Sequence, residues 1–163
     1  MSIHDNRAGR INCLLIAGGV WHDIDHARLE LLKLLSEDDR FRVRVFEDYE
    51  NLDALEEADF IVSYTCNVVP SLGAQEALKA WVERGGRWYA LHGTNSIIRL
   101  MSSGLYGTPD WAPLFVETLG SMFRSHPPIA PYTVSVADPE HRLAKGIEPF
   151  ESDDELYLMK TYG

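Results

Sequence analysis

A histidine stands at the sharpest turn that the sequence predicts. In Ala90-Leu91-His92-Gly93-Thr94, His92 ends an apolar run and small residues follow it. A strand that turns there would expose His92 and direct the backbone N–H groups of Gly93 and Thr94 at an anion. An imidazole in this place serves as a general base, a metal ligand or a hydrogen-bond donor to a sugar. A strand-terminal histidine satisfied by backbone contacts is the equally weighted alternative.

A second histidine, His22, follows the double glycine Gly18-Gly19. Because these glycines end the apolar run Ile11–Ala17, they could let the backbone approach a ligand. The pattern lacks the third glycine of a dinucleotide fingerprint, so we exclude that function. For His22, the alternative is a histidine in a surface loop.

A cysteine, Cys66, lies with Asn67 at the end of another apolar run. If that strand neighbours the one ending at His92, the thiol and the imidazole come within reach, which is a known nucleophile arrangement. We favour a buried structural thiol, since free cysteines are often core residues. Cys13 and Cys66 suggest no disulfide framework, and a reducing cytoplasm is the simpler prediction.

Further chemistry-bearing residues lie in the second half of the chain. His126 precedes two prolines, which make its backbone rigid, and Asp153-Asp154-Glu155 forms a carboxylate cluster that could instead be a solvated turn. There is neither an HExxH nor a paired-cysteine motif, so no spacing is a strong metal signature. Three histidines and a carboxylate could still converge, because loops after different strands meet at one edge of a sheet.

Strands and helices alternate in the first half of the chain and would position these residues. We predict strands at Ile11–Ala17, Phe41–Glu47, Asp59–Thr65 and Arg87–His92, and helices at His26–Ser36, Leu52–Ala58 and Leu72–Arg84. This alternation implies right-handed crossovers and a largely parallel sheet. The spacing favours a flavodoxin-like strand order, in which ligands bind beyond the carboxyl ends of the strands.

The second half is less regular. We predict helices over Ile98–Tyr106 and Trp111–Leu119, the latter with Asp110 as its N-cap, and strands over Tyr132–Ala137 and Glu155–Met159. We expect residues 1–10 to be a flexible N-terminal segment and residues 11–163 to form a single domain. Since no helix follows the last strand to cover it, the domain could be shortened at its C-terminus.

Length and charge limit the function. The 163 residues fit one domain, and the net charge of -10 argues against nucleic acids and anionic membranes, which require a basic footprint. No apolar run approaches the roughly 20 residues that a membrane span needs. The polar segment Met1–Arg10 predicts no secretion. We therefore expect a cytoplasmic protein.

Six short motifs occur in order along the chain. They are Gln75-Glu76-Ala77-Leu78, Trp81-Val82-Glu83-Arg84-Gly85-Gly86-Arg87, Ala90-Leu91-His92-Gly93-Thr94, Phe123 to His126-Pro127, Val134 with Val136 and Asp138, and Asp154-Glu155-Leu156-Tyr157. Together they resemble the ThuA-like (trehalose-utilisation) family. Each motif alone is weak, but the ordered set is fairly specific and extends over most of the chain.

The resemblance implies a class I glutamine amidotransferase-like fold, that is, a flavodoxin-like three-layer α/β/α sandwich with a mostly parallel sheet. It also implies that His92 replaces the elbow cysteine of the amidotransferases, so the protein is not one of them. Members are linked to carbohydrate metabolism, particularly to trehalose, related disaccharides and their keto derivatives. The polar residues that the family shares map to His22, His92, His126, Asp154 and Glu155.

Under this resemblance we expect a sugar ligand over the carboxyl edge and a hydrolase or isomerase with His-based or metal-assisted catalysis. His92 and His126 would act in acid/base catalysis and Glu155 would orient one of them. The predicted ligand-binding residues are Gly18, Gly19, His22, Cys66, Asn67, Gly93, Thr94 and Trp111, and Trp21, Tyr64 and Trp111 could stack on a sugar face. A divalent metal such as zinc would have His22, His92 and His126 as its candidate ligands.

Two alternatives stay open. A non-catalytic ligand-binding or interaction domain is suggested by the missing elbow nucleophile and the short C-terminus. A Cys66-dependent hydrolase is suggested by the possible pairing of Cys66 with His92, although Cys66-Asn67 departs from the family pattern. The oligomeric state, including a homo-oligomer, is also open.

Overall fold

A parallel four-stranded sheet lies at the centre of a mixed α/β fold in the computed structural model, which describes residues 9–104 and 106–163. The predicted flexible segment, residues 1–10, lies outside the described residues except for Gly9 and Arg10, which are exposed. Its flexibility therefore stays a prediction.

The helices and strands occupy the following positions. In chain order they are β1 Ile11–Gly19, α1 Ile24–Ser36, β2 Phe41–Phe46, α2 Leu52–Glu56, β3 Phe60–Cys66, α3 Leu72–Glu83, β4 Arg87–Leu91, a 3₁₀ turn His92–Asn95, β5 Arg99–Leu100, β6 Tyr106–Gly107, α4 Pro113–Leu119, β7 Ser121–Ser125, β8 Ala130–Val134, β9 Phe150–Asp154 and β10 Leu158–Thr161. The seven elements predicted in the first half are all present, with ends that move by one or two residues.

The strands of the central sheet lie in the order β2-β1-β3-β4, and each neighbouring pair is parallel. This is the order that the alternation of strands and helices predicts. The carboxyl ends of β1, β3 and β4 are therefore adjacent. As a result, the segments that follow Gly19, Cys66 and Leu91 meet at one edge of the sheet.

Apolar side chains pack on both faces of the sheet, because successive residues of a strand point to opposite sides. Leu14 and Ile16 of β1 belong to a cluster with residues of α2, α3 and α4. Cys13 and Leu15, which alternate with them, belong to a second cluster with residues of α1. The two clusters fix the central strands and thereby the edge at which the histidines lie.

Helix α1 begins at Ile24 because Asp23 caps it. The Asp23 carboxylate accepts a hydrogen bond from the backbone N–H of His26 at 2.9 Å. Asn51 and Ser71 cap α2 and α3 in the same way, through Ala54 and Ala74. Capping satisfies an N–H group that the helix leaves without a partner. Since His22 lies just before the cap, the start of α1 holds it beside the end of β1.

The predicted helix over Ile98–Tyr106 is wrong. In the described part of this segment, β5 and β6 form a two-stranded antiparallel ribbon with Arg99 opposite Gly107. The backbone N–H of Gly104 closes a turn on the carbonyl of Met101 at 2.9 Å, and Gly104 has a φ of +79°. That left-handed conformation suits glycine and interrupts a helix.

The predicted N-cap at Asp110 is also wrong. Helix α4 starts at Pro113, and the preceding residue, Ala112, makes no side-chain capping bond. Proline favours the first helical position because its φ is already helical and it has no N–H to satisfy. It also disfavours a helical conformation for the residue before it, so Trp111 and Ala112 remain outside the helix.

The predicted strand over Glu155–Met159 is divided in the structure. Strand β9 ends at Asp154 and pairs with β8, while β10 begins at Leu158 and pairs with β7. Residues 155–157 therefore form the connection between two separate two-stranded sheets. Strand β8 begins and ends earlier than the predicted strand Tyr132–Ala137.

Within residues 9–104 and 106–163, no helix is both long enough and apolar enough to cross a bilayer.

We predict that Gly19→Ala lowers the free energy of unfolding by about 3 kcal/mol, because strain and overpacking add. Gly19 has a φ of +106°, and a Cβ atom there would lie 1.8 Å from the carbonyl oxygen of Cys66. Urea unfolding measures the change. The control is Gly73→Ala in α3, where a Cβ atom has no neighbour within 4 Å. Equal urea midpoints for the two variants would contradict the prediction.

Candidate functional site

His92 begins the turn that follows β4. Its φ is +47°, and it is exposed, whereas Gly93 and Thr94 behind it are buried. A Cβ atom on Gly93 would lie 3.1 Å from both the Cβ atom of Cys66 and the carbonyl oxygen of Thr65. Glycine therefore lets the turn pack closely against the end of β3. The sharp elbow predicted from the sequence is present, with the imidazole of His92 outside it.

Left-handed backbone is concentrated at this edge. Among the described residues other than glycine, those with positive φ are Trp21, Asn67 and His92, at +81°, +66° and +47°. Each follows the carboxyl end of a different strand of the central sheet. Such conformations cost of order 1–3 kcal/mol and tend to occur at functional sites. The residues with left-handed backbone therefore lie at the same edge of the sheet as the histidines.

Three rings pack around His92. The ring centroid of His22 lies 4.4 Å from that of His92, and Tyr64 stacks on His92 at 5.5 Å. On another side, the ring of Tyr157 lies 5.2 Å from His92 and 4.6 Å from Phe123. These contacts hold the His92 imidazole in place although it is exposed.

A series of polar contacts joins His92 to His126. The Tyr157 hydroxyl lies 3.2 Å from Nε2 of His92, and Oε1 of Glu155 lies 3.5 Å from Nε2 of His126. Nδ1 of His126 lies 2.8 Å from the carbonyl oxygen of Pro127. Since a carbonyl oxygen only accepts, Nδ1 of His126 is the donor in this contact.

Tyr157 connects the two ends of this series. Burial raises its pKa most strongly, and the charge of Glu155 and a hydrogen bond to it raise the pKa further. The Tyr157 hydroxyl therefore keeps its proton at every pH at which the fold would be studied. With its single proton it can donate to only one of the two groups beside it, Nε2 of His92 or the carboxylate of Glu155, at a time.

A cavity of about 440 Å³ opens beside this series. Its described lining combines aromatic, polar and charged side chains: Trp21, His22, Cys66, Ile98, Tyr106, Gly107, Thr108, Phe123, Arg124, Ser125, His126, Glu155 and Tyr157. The volume is in the range of small-molecule sites. A second space of about 410 Å³ shares Glu155 and Tyr157 with the first and is lined by His92.

Comparison with known proteins identifies the family. The profile of the family described as "ThuA: Trehalose utilisation" matches residues 12–162. The chain belongs to the ThuA family. No curated protein matched the chain.

A solved structure agrees with this membership. The crystal structure of a ThuA-like protein from Bacteroides uniformis ATCC 8492 superposes with a TM-score of 0.67, covers 94% of this chain and is 22% identical to it. At that identity the likeness shows the fold. The chain spans 62% of the length of the Bacteroides protein.

The histidines predicted from the sequence are together in this ThuA family member. His22, His126 and Glu155 line the cavity, and His92 contacts both His22 and Tyr157. Their catalytic and binding roles stay predictions, but the expected convergence of three histidines and a carboxylate at the carboxyl edge is present.

Other predicted ligand-binding residues face the protein itself. A Cβ atom on Gly18 would lie 2.0 Å from the carbonyl oxygen of Glu47, so the close approach is to backbone, as it is for Gly19. Thr94 is buried and its hydroxyl donates to the carbonyl oxygen of Ser63 at 3.1 Å. Oδ1 of Asn67 accepts from the backbone N–H of Ile98 at 2.6 Å. These residues therefore hold the backbone at this edge together and are not in the described lining of the larger cavity.

Trp111 lies away from the described lining of the cavity. It is 54% exposed, and the guanidinium of Arg99 lies 5.0 Å from its ring centroid. Trp21, by contrast, lines the cavity and packs edge-on against Tyr106 at 5.9 Å. Of the three aromatic residues predicted to stack on a sugar, Trp21 has the clearest access to a ligand.

Cys66 lines the cavity but is buried. Burial, followed by the charge of Glu155, raises the pKa of its thiol to about 11. At pH 7 only about one molecule in ten thousand would then carry the thiolate. Since the thiolate is the nucleophile, this pKa disfavours a Cys66-dependent hydrolase.

A metal site is not apparent in residues 9–104 and 106–163. No three side chains of the His, Cys, Asp or Glu types are grouped there so as to hold a metal ion. The candidate set His22, His92 and His126 is therefore not a ready metal centre. The binding of a divalent metal such as zinc stays a prediction that metal analysis of the purified protein tests.

Sequence analysis missed Tyr157, Phe123, Arg124 and Tyr106 as site residues. Tyr157 and Phe123 belong to the motifs Asp154-Glu155-Leu156-Tyr157 and Phe123 to Pro127, so the motifs themselves were the available signal. Tyr106 lay in a segment predicted to be helical. Only the ribbon of β5 and β6 brings it to Trp21.

We predict that the His22 ring titrates below its ordinary value of 6.5, because burial and the charge of His92 lower its pKa. The unfolded chain then binds the proton more tightly than the folded protein does. The free energy of unfolding therefore falls as the pH is lowered through 6.5 towards the folded pKa. NMR titration measures the midpoint, and the control, His22→Gln, should have a flatter stability profile. A midpoint at or above 6.5 would contradict this.

Proposed function

We propose that this member of the ThuA family binds a sugar or keto-sugar in its larger cavity and acts on it in trehalose or disaccharide catabolism. The observation that carries the proposal is the series of contacts from His92 through Tyr157 and Glu155 to His126 along the cavity. Two imidazoles are thereby held near one ligand-sized space. The family description of trehalose utilisation supports the choice of a carbohydrate.

The two ends of the series suit opposite roles in proton transfer. At His92, Nε2 can accept the hydrogen bond of Tyr157, which leaves a neutral imidazole with its proton on Nδ1. At His126, Nδ1 can donate to the carbonyl oxygen of Pro127, and Nε2 lies 3.5 Å from the carboxylate of Glu155. We therefore assign His92 as the base and His126 as the acid.

The same pair serves both reaction classes that the family resemblance suggests. In isomerisation of a keto-sugar, the Tyr157 hydroxyl, which lines the cavity, takes a proton from the carbon beside the carbonyl as it gives its own proton to His92, while His126 delivers one to the carbonyl oxygen, which yields an enediol. In hydrolysis, a proton passes from water through the Tyr157 hydroxyl to His92, and His126 protonates the leaving oxygen. General acid–base catalysis of this kind contributes typically 10²- to 10⁴-fold in rate. No step passes through a metal.

The cavity wall supports a carbohydrate in particular. Trp21 and Tyr106 form an edge-on aromatic pair, and Phe123 and Tyr157 form another, all lining the same space. Aromatic faces cover the C–H surface of a sugar ring, while hydroxyl and imidazole groups pair with its oxygens. Because His92 occupies the elbow, we also infer that the protein is not a glutamine amidotransferase.

We further propose that the mixed α/β fold is the flavodoxin-like three-layer sandwich of the class I glutamine amidotransferase-like proteins. The support is the pair of apolar clusters on opposite faces of β1, one joined by α1 and the other by α2, α3 and α4. A cytoplasmic location and a small-molecule ligand, rather than nucleic acid or membrane, are consistent with the net charge of -10.

Ligand screening tests the proposed function. Trehalose, its keto derivative and glucose are each mixed with the protein, and ¹H NMR reports binding by saturation transfer and turnover by new resonances. We also expect quenching or a shift of the Trp21 fluorescence, which Trp21→Phe should remove. If neither these sugars nor charged sugars such as glucuronate and glucose 6-phosphate bind or are converted at millimolar concentration, the proposal fails.

A further inference from the structure

The larger cavity contains an arginine that lacks a carboxylate partner. Arg124 lines it, and NH1 of Arg124 donates to the hydroxyl oxygen of Thr108 at 3.3 Å. Within residues 9–104 and 106–163, no carboxylate lies within ion-pair distance of its guanidinium. The carboxylate that also lines the cavity, Glu155, faces His126 instead.

Arg124 differs from the other arginines of the described residues in its place at the cavity: some of them form ion pairs and others, such as Arg42, Arg87 and Arg142, do not, but none of them lines it. Arg28, Arg40, Arg44 and Arg84 each lie beside an Asp or Glu carboxylate. The sequence has 25 acidic and 15 basic side chains, Asp and Glu against Lys and Arg, so potential partners are abundant. An arginine that faces a ligand-sized cavity with its charge uncompensated is therefore a candidate for binding an anionic group of a ligand.

Hydroxyl groups beside Arg124 complete the donor set. Thr108 and Ser125 also line the cavity. A hydroxyl has one proton and two lone pairs, so the Thr108 oxygen can accept from Arg124 and still donate its own proton. Guanidinium and hydroxyl donors on one wall suit the oxygens of a carboxylate or a phosphate.

We propose that Arg124, assisted by Thr108, binds the anionic group of the ligand, so that the substrate class is a sugar acid or a sugar phosphate rather than a neutral sugar. The sugar part of this inference rests on the proposed function. The anion part rests on Arg124 alone. The polyol of such a ligand would extend from Arg124 towards Trp21 and the two histidines that line the cavity, His22 and His126.

Binding measurements separate the possible ligands. Glucuronate, glucose 6-phosphate, glucose and inorganic phosphate are titrated into the full chain and followed by calorimetry and Trp fluorescence. We expect both charged sugars to bind at least tenfold more tightly than glucose, with an advantage that shrinks as KCl is added. The tighter of the two identifies the carboxylate or the phosphate as the recognised group.

Substitutions assign the effect to the arginine. Arg124→Gln should weaken the charged sugars roughly ten- to a hundredfold, leave glucose unchanged, and be partly rescued in Arg124→Lys. The control is Arg142→Gln, which removes the same charge from an exposed residue outside both cavities. Because Arg124 is exposed, the variant should fold, which its thermal midpoint verifies.

Each outcome decides one of the two proposals. If glucose binds as tightly as the charged sugars, or if Arg124→Gln binds them like the unaltered protein, the anion site is rejected and the sugar function stands. If no sugar binds but inorganic phosphate binds in an Arg124-dependent manner, the anion site stands and the sugar function is rejected. If nothing binds, both are rejected.

Discussion

His92→Asn lowers kcat/KM for the sugar substrate by about 10²- to 10⁴-fold, the usual contribution of a general base. The variant removes the imidazole that contacts His22, Tyr64 and Tyr157. Asparagine is the appropriate replacement because the φ of +47° at this position is left-handed. Asparagine tolerates that conformation better than alanine does, so the elbow and the fold should remain.

The division between kcat and KM distinguishes catalysis from binding. If His92 takes the proton in the reaction, kcat should carry most of the loss, whereas a residue that only contributes to binding would raise KM. The control is His26→Asn, which alters an exposed histidine outside both cavities. A His92→Asn enzyme that folds and turns over sugar at the rate of the His26→Asn control would remove His92 from the mechanism and favour a non-catalytic binding domain.

The first half of the fold could be predicted because its information is local. The apolar run Ile11–Ala17, the glycines after it and the amphipathic pattern of Leu72–Arg84 each determine one element with little help from distant residues. Alternation then restricts the sheet order through the handedness of crossovers. The position of His92 at the carboxyl edge follows from these rules.

The second half could not be predicted in the same way because its strands are short and pair with distant segments. Strand β7 pairs with β10 from the other end of this half, and β8 pairs with β9 across residues 135–149. No period in the sequence reveals such pairing, since the register depends on which segments meet. Pro113 also defines the start of α4 by a steric rule that overrides the better capping residue, Asp110.

The site divides in the same way: the residues that come from the first half of the chain could be placed from the sequence, and those from the second half could not. His22, His92 and Cys66 follow strands of the central sheet, so strand order alone brings them together. Glu155, Tyr157 and Arg124 come from the second half, and their placement depends on the connection between β9 and β10 and on β7. Their residue types carry no spacing signal for this arrangement. The family motifs indicated His126 and Glu155, but not which atoms meet.

Glu155→Gln lowers kcat/KM by about 100-fold, because it removes the charge that faces His126 and that raises the pKa of Tyr157. Tyr157→Phe should lower it by about 10- to 100-fold. It removes the hydroxyl beside His92 while retaining a ring to pack on Phe123. Neither change alters the backbone turn that carries His92. Both should therefore leave the urea midpoint close to that of the unaltered protein.

The double variant decides whether the contacts act as a series. If Tyr157 connects Glu155 to His92, the effects of Glu155→Gln and Tyr157→Phe are not independent. The fold-reduction in kcat/KM of the double variant should then be clearly smaller than the product of the two single reductions. The control is Glu148→Gln, which removes the same charge from an exposed residue outside both cavities. When it is combined with Tyr157→Phe, the reduction in kcat/KM should equal the product of the two single reductions. A multiplicative result for Glu155 and Tyr157 would mean that the two histidines work separately. In that case Tyr157 would only fill space between them.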